Sequence, residues 1–587
     1  MLNLKRLPTG VALLNWNSEL PSSGTGDPLG MTLRVGARLG AELLHCITSI
    51  TPRARYYSFF PWAFQRAQDR TRGKGDFDQL MQFVLIDERA MTLGAVLHHD
   101  GNPCEGGSLQ GSNRAVDLAA NSSKRSIDLG QWSHLRDNTS GFAAYKGSLI
   151  NLGIFAESAS PDTADDEDEN DQSNNLTSGE LSAKGRKLAT AFGQAVAGTE
   201  FVKMRPAGGS MDLDVLKEFG ASAGLCELRA AEEFDLLPLR DLFFSTDSDS
   251  HLNSHYRRRM SLLLLLWATL VTADAGVELD ERSFGDLAYY RMIFDEEDEA
   301  VSVELLPSLI DISERWRIFQ FHNYLTIALE SLLASFVRAI LNYPAGRSVA
   351  DVIEAFDNVE AAEVLGELFG VEFSVPFLDL TPAASLALLA IDVPGQTSGV
   401  AGSSEIFASN PFVERFLRDA LIEQDLVSGA AGAAVAAMLL YCLMLRYDLT
   451  VADAHKGWNA QKVFDPSADV AMPTVARMLA LDFEDWRNTP NREILYRVVS
   501  RFVVRQHETM SYEKGFGGSP PLFRVDGPMV VGTGLTRDDV DSGNPRFPSA
   551  MQVLRDLRLI DRDPEKGQCL TPDGQEMLNF LLEDVVS

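Results

Sequence analysis

One local grammar occurs twice in this chain and limits its fold more than any other feature. Near the C-terminus VLRDLRLI (Val553–Ile560) is followed by the short DRDPEKGQC and then by LTPDGQEMLNFL (Leu570–Leu581). Far upstream SLINLGIF (Ser148–Phe155) and LSAKGRKLATAF (Leu181–Phe192) repeat it. Leu149, Leu152, Ile154 and Phe155 match Leu554, Leu557, Leu559 and Ile560. Leu181, Ser182, Gly185, Leu188 and Phe192 match Leu570, Thr571, Gly574, Met577 and Leu581. Read physically, a helix runs into a strand, a hairpin wing follows, and a Ser or Thr N-cap opens the next helix, with Pro572 at its first position. The expectation is two winged-helix-like modules.

Between the two halves of the first copy lies ESASPDTADDEDEND, Glu157–Asp171, with eight acids and no large apolar side chain. Such a stretch cannot bury enough surface to offset its ordering entropy, so it is expected as a mobile insertion at the tip of the first wing.

The rest reads as helix. Met260–Val271 follows three arginines, and Ser313–Asn342 repeats Ile318, Leu325, Leu329, Leu332, Phe336 and Ile340 at helical spacing before Pro344. Further helices are expected at Ser348–Phe369, Pro411–Gln424, Leu426–Tyr447 and Arg492–His507, with loops or hairpins at Met204–Leu213 and Phe516–Val531. At 587 residues the chain exceeds one core. The fold class expected is mainly α and multidomain, helical domains with two winged-helix-like (α+β) modules. The segments are 1–105, 106–200 with its acidic insertion at 156–175, 201–345, 346–510 and 511–587.

The net charge of −31 repels polyanions on average, so a nucleic-acid partner needs a local basic surface. The first 75 residues carry ten Lys or Arg against four acids. Within them Arg34, Arg38, Arg53 and Arg55 stand near Tyr56, Tyr57, Phe59, Phe60 and Trp62. Guanidinium there could meet phosphate and an aromatic could stack a base; equally, the aromatics could be core and the arginines paired with acids. A second candidate is the stripe Arg497, Arg501 and Arg505, opposite Val499, Phe502 and Val503, which suits phosphate, solvent or an acidic partner. The third is Arg555 and Arg558 on the recognition-type helix Ser549–Leu559, beside Asp556. Its wing, Asp561–Gln568, has Arg562 and Lys566 against three acids, and winged helices serve protein contact as readily as DNA.

Signatures of chemistry are sparse. No GxxxxGK[ST] occurs, and Gly24–Gly30 and Gly515–Gly518 lack the strand-then-helix setting of a phosphate loop. His251 and His255, with Asp247 and Asp249 upstream, make half a metal site; His98, His99, Asp100 and Cys104 read as surface. The E-x-K of a metal-dependent nuclease is missing. Arg-x4-6-His pairs of the HEPN ribonuclease type occur at Arg315 or Arg317 with His322 and at Arg501 with His507, about as often as composition alone supplies. No metal and no cofactor is expected.

Cys46, Cys104, Cys226, Cys442 and Cys569 are scattered and never form CxxC, which fits a reducing cytoplasm. The first twenty residues lack a signal-peptide core and are expected to be retained. Leu426–Leu445 is uncharged and long enough to span a bilayer, yet its Ala and Gly content reads as a buried core helix, so no membrane partner is expected.

Three pieces in order, ITPRARYYSFFPWAF, then GSLQGSNRA with YKGSLINLGIF, then YRRRMSLLLLLW with ERWRIFQFHNYLTIALESLLA, resemble large proteins encoded in prokaryotic antiviral-defence islands, some beside restriction or DNA-modification genes. The resemblance covers about a third of the chain and transfers no catalytic residue. It implies a non-catalytic or cryptically catalytic component of a multi-gene defence system, partnered by the other proteins of that system; the basic candidates above add DNA, so the reading taken is a non-catalytic DNA-binding or scaffold component. A nuclease effector and a pure adaptor are the alternatives.

Overall fold

The computed structural model describes residues 27–102, 111–121, 125–130, 140–156, 179–204, 209–229, 234–245, 254–294, 300–370, 375–388, 413–423, 426–446, 486–513, 520–537, 540, 546–563 and 567–586. The protein is mainly helical with small sheets. It packs as two units, each assembled from non-consecutive stretches rather than from segments taken in chain order. The acidic run Glu157–Asp171 lies outside the described residues.

The first unit comprises Gly40–Phe284, Ile293–Ile312 and Asn544–Ser587. Its centre is the helix Tyr56–Thr71, on which Tyr56, Tyr57, Phe59, Phe60 and Phe64 are all completely buried. Tyr56 stacks on Phe60, and other rings of this helix meet Phe142, Tyr145, Phe155, Phe192 and Phe243 from four further segments. Beside it runs Phe77–His98, whose N-cap Asp76 accepts from Gln79 N–H. Helix Leu213–Ala223 lies so close that a Cβ on Gly94 would stand 2.4 Å from the Leu216 carbonyl oxygen.

The repeated grammar folds twice into the same hydrogen-bonded frame, and its lead helices are Gly141–Asn151 and Phe547–Asp556. Each ends in a left-handed residue, Gly153 in one copy and Arg558 in the other, with φ of 68° and 60°. The next amide, Ile154 or Leu559, returns to the carbonyl of Leu149 or Leu554. Ser182 Oγ then donates to Gly153 O, and Thr571 Oγ1 to Arg558 O, both at 2.6 Å. The same hydroxyls accept from Gly185 N–H at 3.1 Å and Gly574 N–H at 3.0 Å, capping Ala183–Val196 and Pro572–Val586. Only glycine fits at those two positions, because an added Cβ would lie 2.2 Å from Ile154 O or 1.9 Å from Leu559 O. In the second copy the hairpin is Ile560–Asp563 with Gly567–Leu570, registered Ile560 to Leu570 and Asp563 to Gly567. In the first, the described residues show the bridge Phe155 to Leu181 at the base of the corresponding connection.

The second unit comprises Met1–Leu39, Gly285–Met292 and Ser313–Gly543. Most of the long helix Ile310–Leu341 belongs to it, along with Val359–Phe369, Val413–Ile422 and Ala430–Arg446. The expected single helix 348–369 is broken after Val349–Glu354, and Asn358 caps the second piece. A hairpin, Phe523–Asp526 with Met529–Gly532, carries Arg347–Ser348 on the free edge of its second strand. Pro307–Leu341 is long and apolar enough to cross a membrane by length and composition, but 83% of its apolar window is buried in the structure, as in a core helix. The uncharged stretch that raised the same question forms Ala430–Arg446, with Ala433 through Met444 buried.

Candidate functional site

The N-terminal arginines do not form a surface. Arg53 and Arg55 occupy a turn leading into the Tyr56–Thr71 helix, and both are buried. Arg53 Nε donates to Asp556 Oδ2 at 3.0 Å, and the next backbone N–H, of Ala54, donates to the same oxygen at 3.0 Å. The Arg53 backbone N–H donates to Tyr145 Oη at 2.8 Å. Tyr145 belongs to the lead helix of the first copy and Asp556 to that of the second. One turn therefore ties the two lead helices together.

Arg55 is held as firmly. Its Nε and Nη2 donate to Asp235 at 3.3 and 3.4 Å, Nη1 donates to Gly224 O at 2.6 Å, and Ser58 Oγ donates to Asp235 Oδ2 at 2.6 Å. Further along the helix Arg66 and Arg70 share the buried Asp87. Four of the ten bases of the first 75 residues, Arg53, Arg55, Arg66 and Arg70, are thus answered inside the fold, by Asp556, Asp235 and Asp87. This corrects the reading of Arg53 and Arg55 as phosphate contacts and of the neighbouring aromatics as base-stacking groups: charge neutralisation and ring packing use them up.

Arg38 is exposed on the short helix Ala37–Leu43. Arg34 lies in the π-helical turn Met31–Gly36, and its side chain is outside the described residues. Arg555 donates to Gln552 Oε1 at 3.0 Å and is half-buried. Arg558, also half-buried, takes the left-handed position that Gly153 occupies in the other copy. The helix carrying Arg555 is itself packed inward, with Ala550, Met551, Val553 and Leu554 buried. Its Arg side chains border a core.

The stripe is different. Arg497, Arg501 and Arg505 are all exposed, on Asn491–Val498, the π-helical turn Val499–Val504 and Arg505–Glu513. The π turn matters to their alignment. Residues four apart run ahead on an α-helix and fall back on the wider π-helix, so mixing the two keeps the three arginines within roughly 30° instead of about 80°. Tyr496, beside Arg497 but about 100° round the helix from it, is 47% exposed, and Tyr512, about two turns past Arg505, is 89% exposed. Arg497 pairs with Glu493 one turn away, both half in water, an interaction worth little. Val499, Phe502 and Val503 face inward as the spacing implied.

Neither Arg-x4-6-His pair makes an open site. Arg315, Arg317 and His322 are buried; His322 Nε2 bonds Met31 O at 2.8 Å, and burial lowers its pKa to about 4. His507 is buried with its ring on Phe523. Its Nδ1 donates to Pro28 O at 3.2 Å and its Nε2 accepts from Leu522 N–H at 3.1 Å, so both ring nitrogens are engaged by the backbone. The expected half metal site falls mostly outside the described residues; His255, which is described, meets His45 edge-on at 5.0 Å. Among the described residues no group of three His, Cys, Asp or Glu could hold a metal ion.

One pairing was not visible in the sequence. His99 Nε2 lies 3.0 Å from Cys226 Sγ, 127 positions away, both half-buried. Cys104, with which His99 was first considered, lies outside the described residues. In comparisons with protein-family models, curated proteins and solved structures, the chain matched none.

Proposed function

We propose that this protein is a non-catalytic, DNA-binding or scaffold component of a cytoplasmic prokaryotic antiviral-defence complex, with Arg497, Arg501 and Arg505 as its nucleic-acid contact. The observation that carries the DNA part is the exposed, π-aligned arginine row with the exposed Tyr512 beyond it. Guanidinium groups on one line suit consecutive phosphates, and an exposed ring suits an unstacked base. The defence role rests on the sequence resemblance.

The two helix–hairpin–helix copies are read here as winged-helix-like modules turned to scaffolding. A DNA-reading winged helix offers its recognition helix to the major groove. In this chain the second copy's lead helix is mostly buried, the first copy's is buried on one face, and the two are joined through Arg53, which favours assembly over groove reading. The test is retention of labelled duplex and single-stranded DNA on a filter across a salt series. Binding by the wild type that is lost in Arg497→Glu/Arg501→Glu/Arg505→Glu supports the reading. Absence of retention by the wild type at low salt removes the nucleic-acid role and leaves the scaffold.

A further inference from the structure

The helix that closes each copy of the repeat carries an open depression at the same place. In the first copy it is about 470 Å³, bordered by Arg186, Lys187, Thr190 and Gln194 of the helix and by Phe234 and Pro238. In the second it is about 540 Å³, bordered by Pro572, Gln575, Glu576, Asn579 and Phe580. Ser182 and Thr571 are equivalent N-caps, so Arg186, Lys187 and Thr190 fall opposite Gln575, Glu576 and Asn579. Equivalent faces thus differ in a complementary way. One carries Arg186 and Lys187 with an apolar wall from outside the helix; the other carries the single carboxylate Glu576 between the amides Gln575 and Asn579 and projects its own ring.

That ring is poorly placed for a protein alone in water. Phe580 is 63% exposed, and beside the basic face Phe234 and Leu237 are 57% and 68% exposed. Among the described residues Lys187 pairs with the equally exposed Asp241, a contact screened by solvent and readily exchanged. Exposed apolar groups inside a polar rim mark association surfaces.

We infer that the protein self-associates: Pro572–Val586 of one molecule lies against Ala183–Val196 of a second copy, with Phe580 beside Phe234 and Glu576 facing Arg186 and Lys187. A second copy is the occupant because the face bearing Glu576 and Phe580 and the face bearing Arg186, Lys187 and the apolar wall sit on the same chain and are opposite in charge. Reciprocal pairing closes a dimer, and one-way pairing propagates a chain.

Sedimentation velocity of the full chain in nucleic-acid-free buffer tests this over a wide concentration range. The wild type is expected to show concentration-dependent association. Glu576→Lys alone, or Arg186→Glu with Lys187→Glu, weakens it by about tenfold or more through like-charge contact, and Phe580→Ser weakens it comparably. The chain carrying all three charge reversals regains association, which a variant that merely misfolds would not. A wild type that stays monomeric, association indifferent to the reversals, or a combined variant as weak as the separate ones overturns the inference.

Discussion

Arg53 and Asp556, 503 positions apart, form a buried ion pair at 3.0 Å in which both side chains are essentially inaccessible. Asp556 also accepts from Ala54 N–H and, through Oδ1, from Gln552 Nε2 at 2.7 Å. Removing one member leaves the other charge stranded. Asp556→Ala and Arg53→Ala are each expected to lower unfolding free energy by about 3–5 kcal/mol, whereas a buried pair intact adds little. Chemical denaturation measures it; a loss under about 1 kcal/mol in both variants would show that the turn does not bind the copies together.

The repeat makes an internal control. Gly185→Ala and Gly574→Ala each drive a methyl into a carbonyl oxygen and are expected to cost more than about 2 kcal/mol apiece. Gly147, inside the first lead helix, has open space where its Cβ would go, so Gly147→Ala is expected to stabilise by about 0.5–1 kcal/mol. Arg558→Gly should be neutral or slightly stabilising, because it puts glycine where the first copy has Gly153. Thermal melts of the four variants distinguish these directions.

This frame was legible in the sequence because it is local: the Ser or Thr cap, the glycine three residues on and the apolar spacing all lie within one turn or two. The long helix near 313–342 was legible for the same reason, its apolar period and Pro344 stop being local signals. Partnership at a distance was not. Nothing near Arg53 or Arg55 names Asp556 or Asp235, so a buried, neutralised arginine and an exposed phosphate ligand look alike in one sequence. The π turn at Val499–Val504 was equally hidden, since apolar spacing there fits an α-helix nearly as well. The five-part division followed chain order, whereas each unit gathers stretches from both ends of the protein.

Glu88 gives a pH test. It is fully buried, accepts from Gly141 N–H at the start of the first lead helix at 2.5 Å, and burial raises its pKa from 4.5 to about 7. The folded state therefore holds a proton that the unfolded state has released between those values, so this group's contribution to stability is greatest below pH 4.5 and falls as pH rises to about 7. Glu88→Gln keeps an acceptor for Gly141 and removes the titration. Relative to wild type the variant is expected to gain stability from pH 5 toward 8, on the order of 1–3 kcal/mol. A difference in melting temperature that stays flat with pH would contradict it.

His322 acts in the opposite sense. Burial lowers its pKa from 6.5 to about 4, so the unfolded chain takes up the proton first and stability is lost as pH falls through that window. His322→Gln is expected to lessen the wild-type loss between pH 6.5 and 4, read from denaturation midpoints at each pH.

The central claim is that nucleic acid meets the Arg497–Arg505 row and not the buried Arg53–Arg55 turn or the lead helices of the repeat. The salt dependence of DNA binding by the wild type and by Arg497→Gln/Arg501→Gln/Arg505→Gln measures it most directly. Loss of three phosphate contacts is expected to weaken binding and flatten the slope of log K against log salt by about 2 to 3 on duplex or single-stranded DNA. An unchanged affinity and slope in a variant that melts like the wild type would contradict the claim.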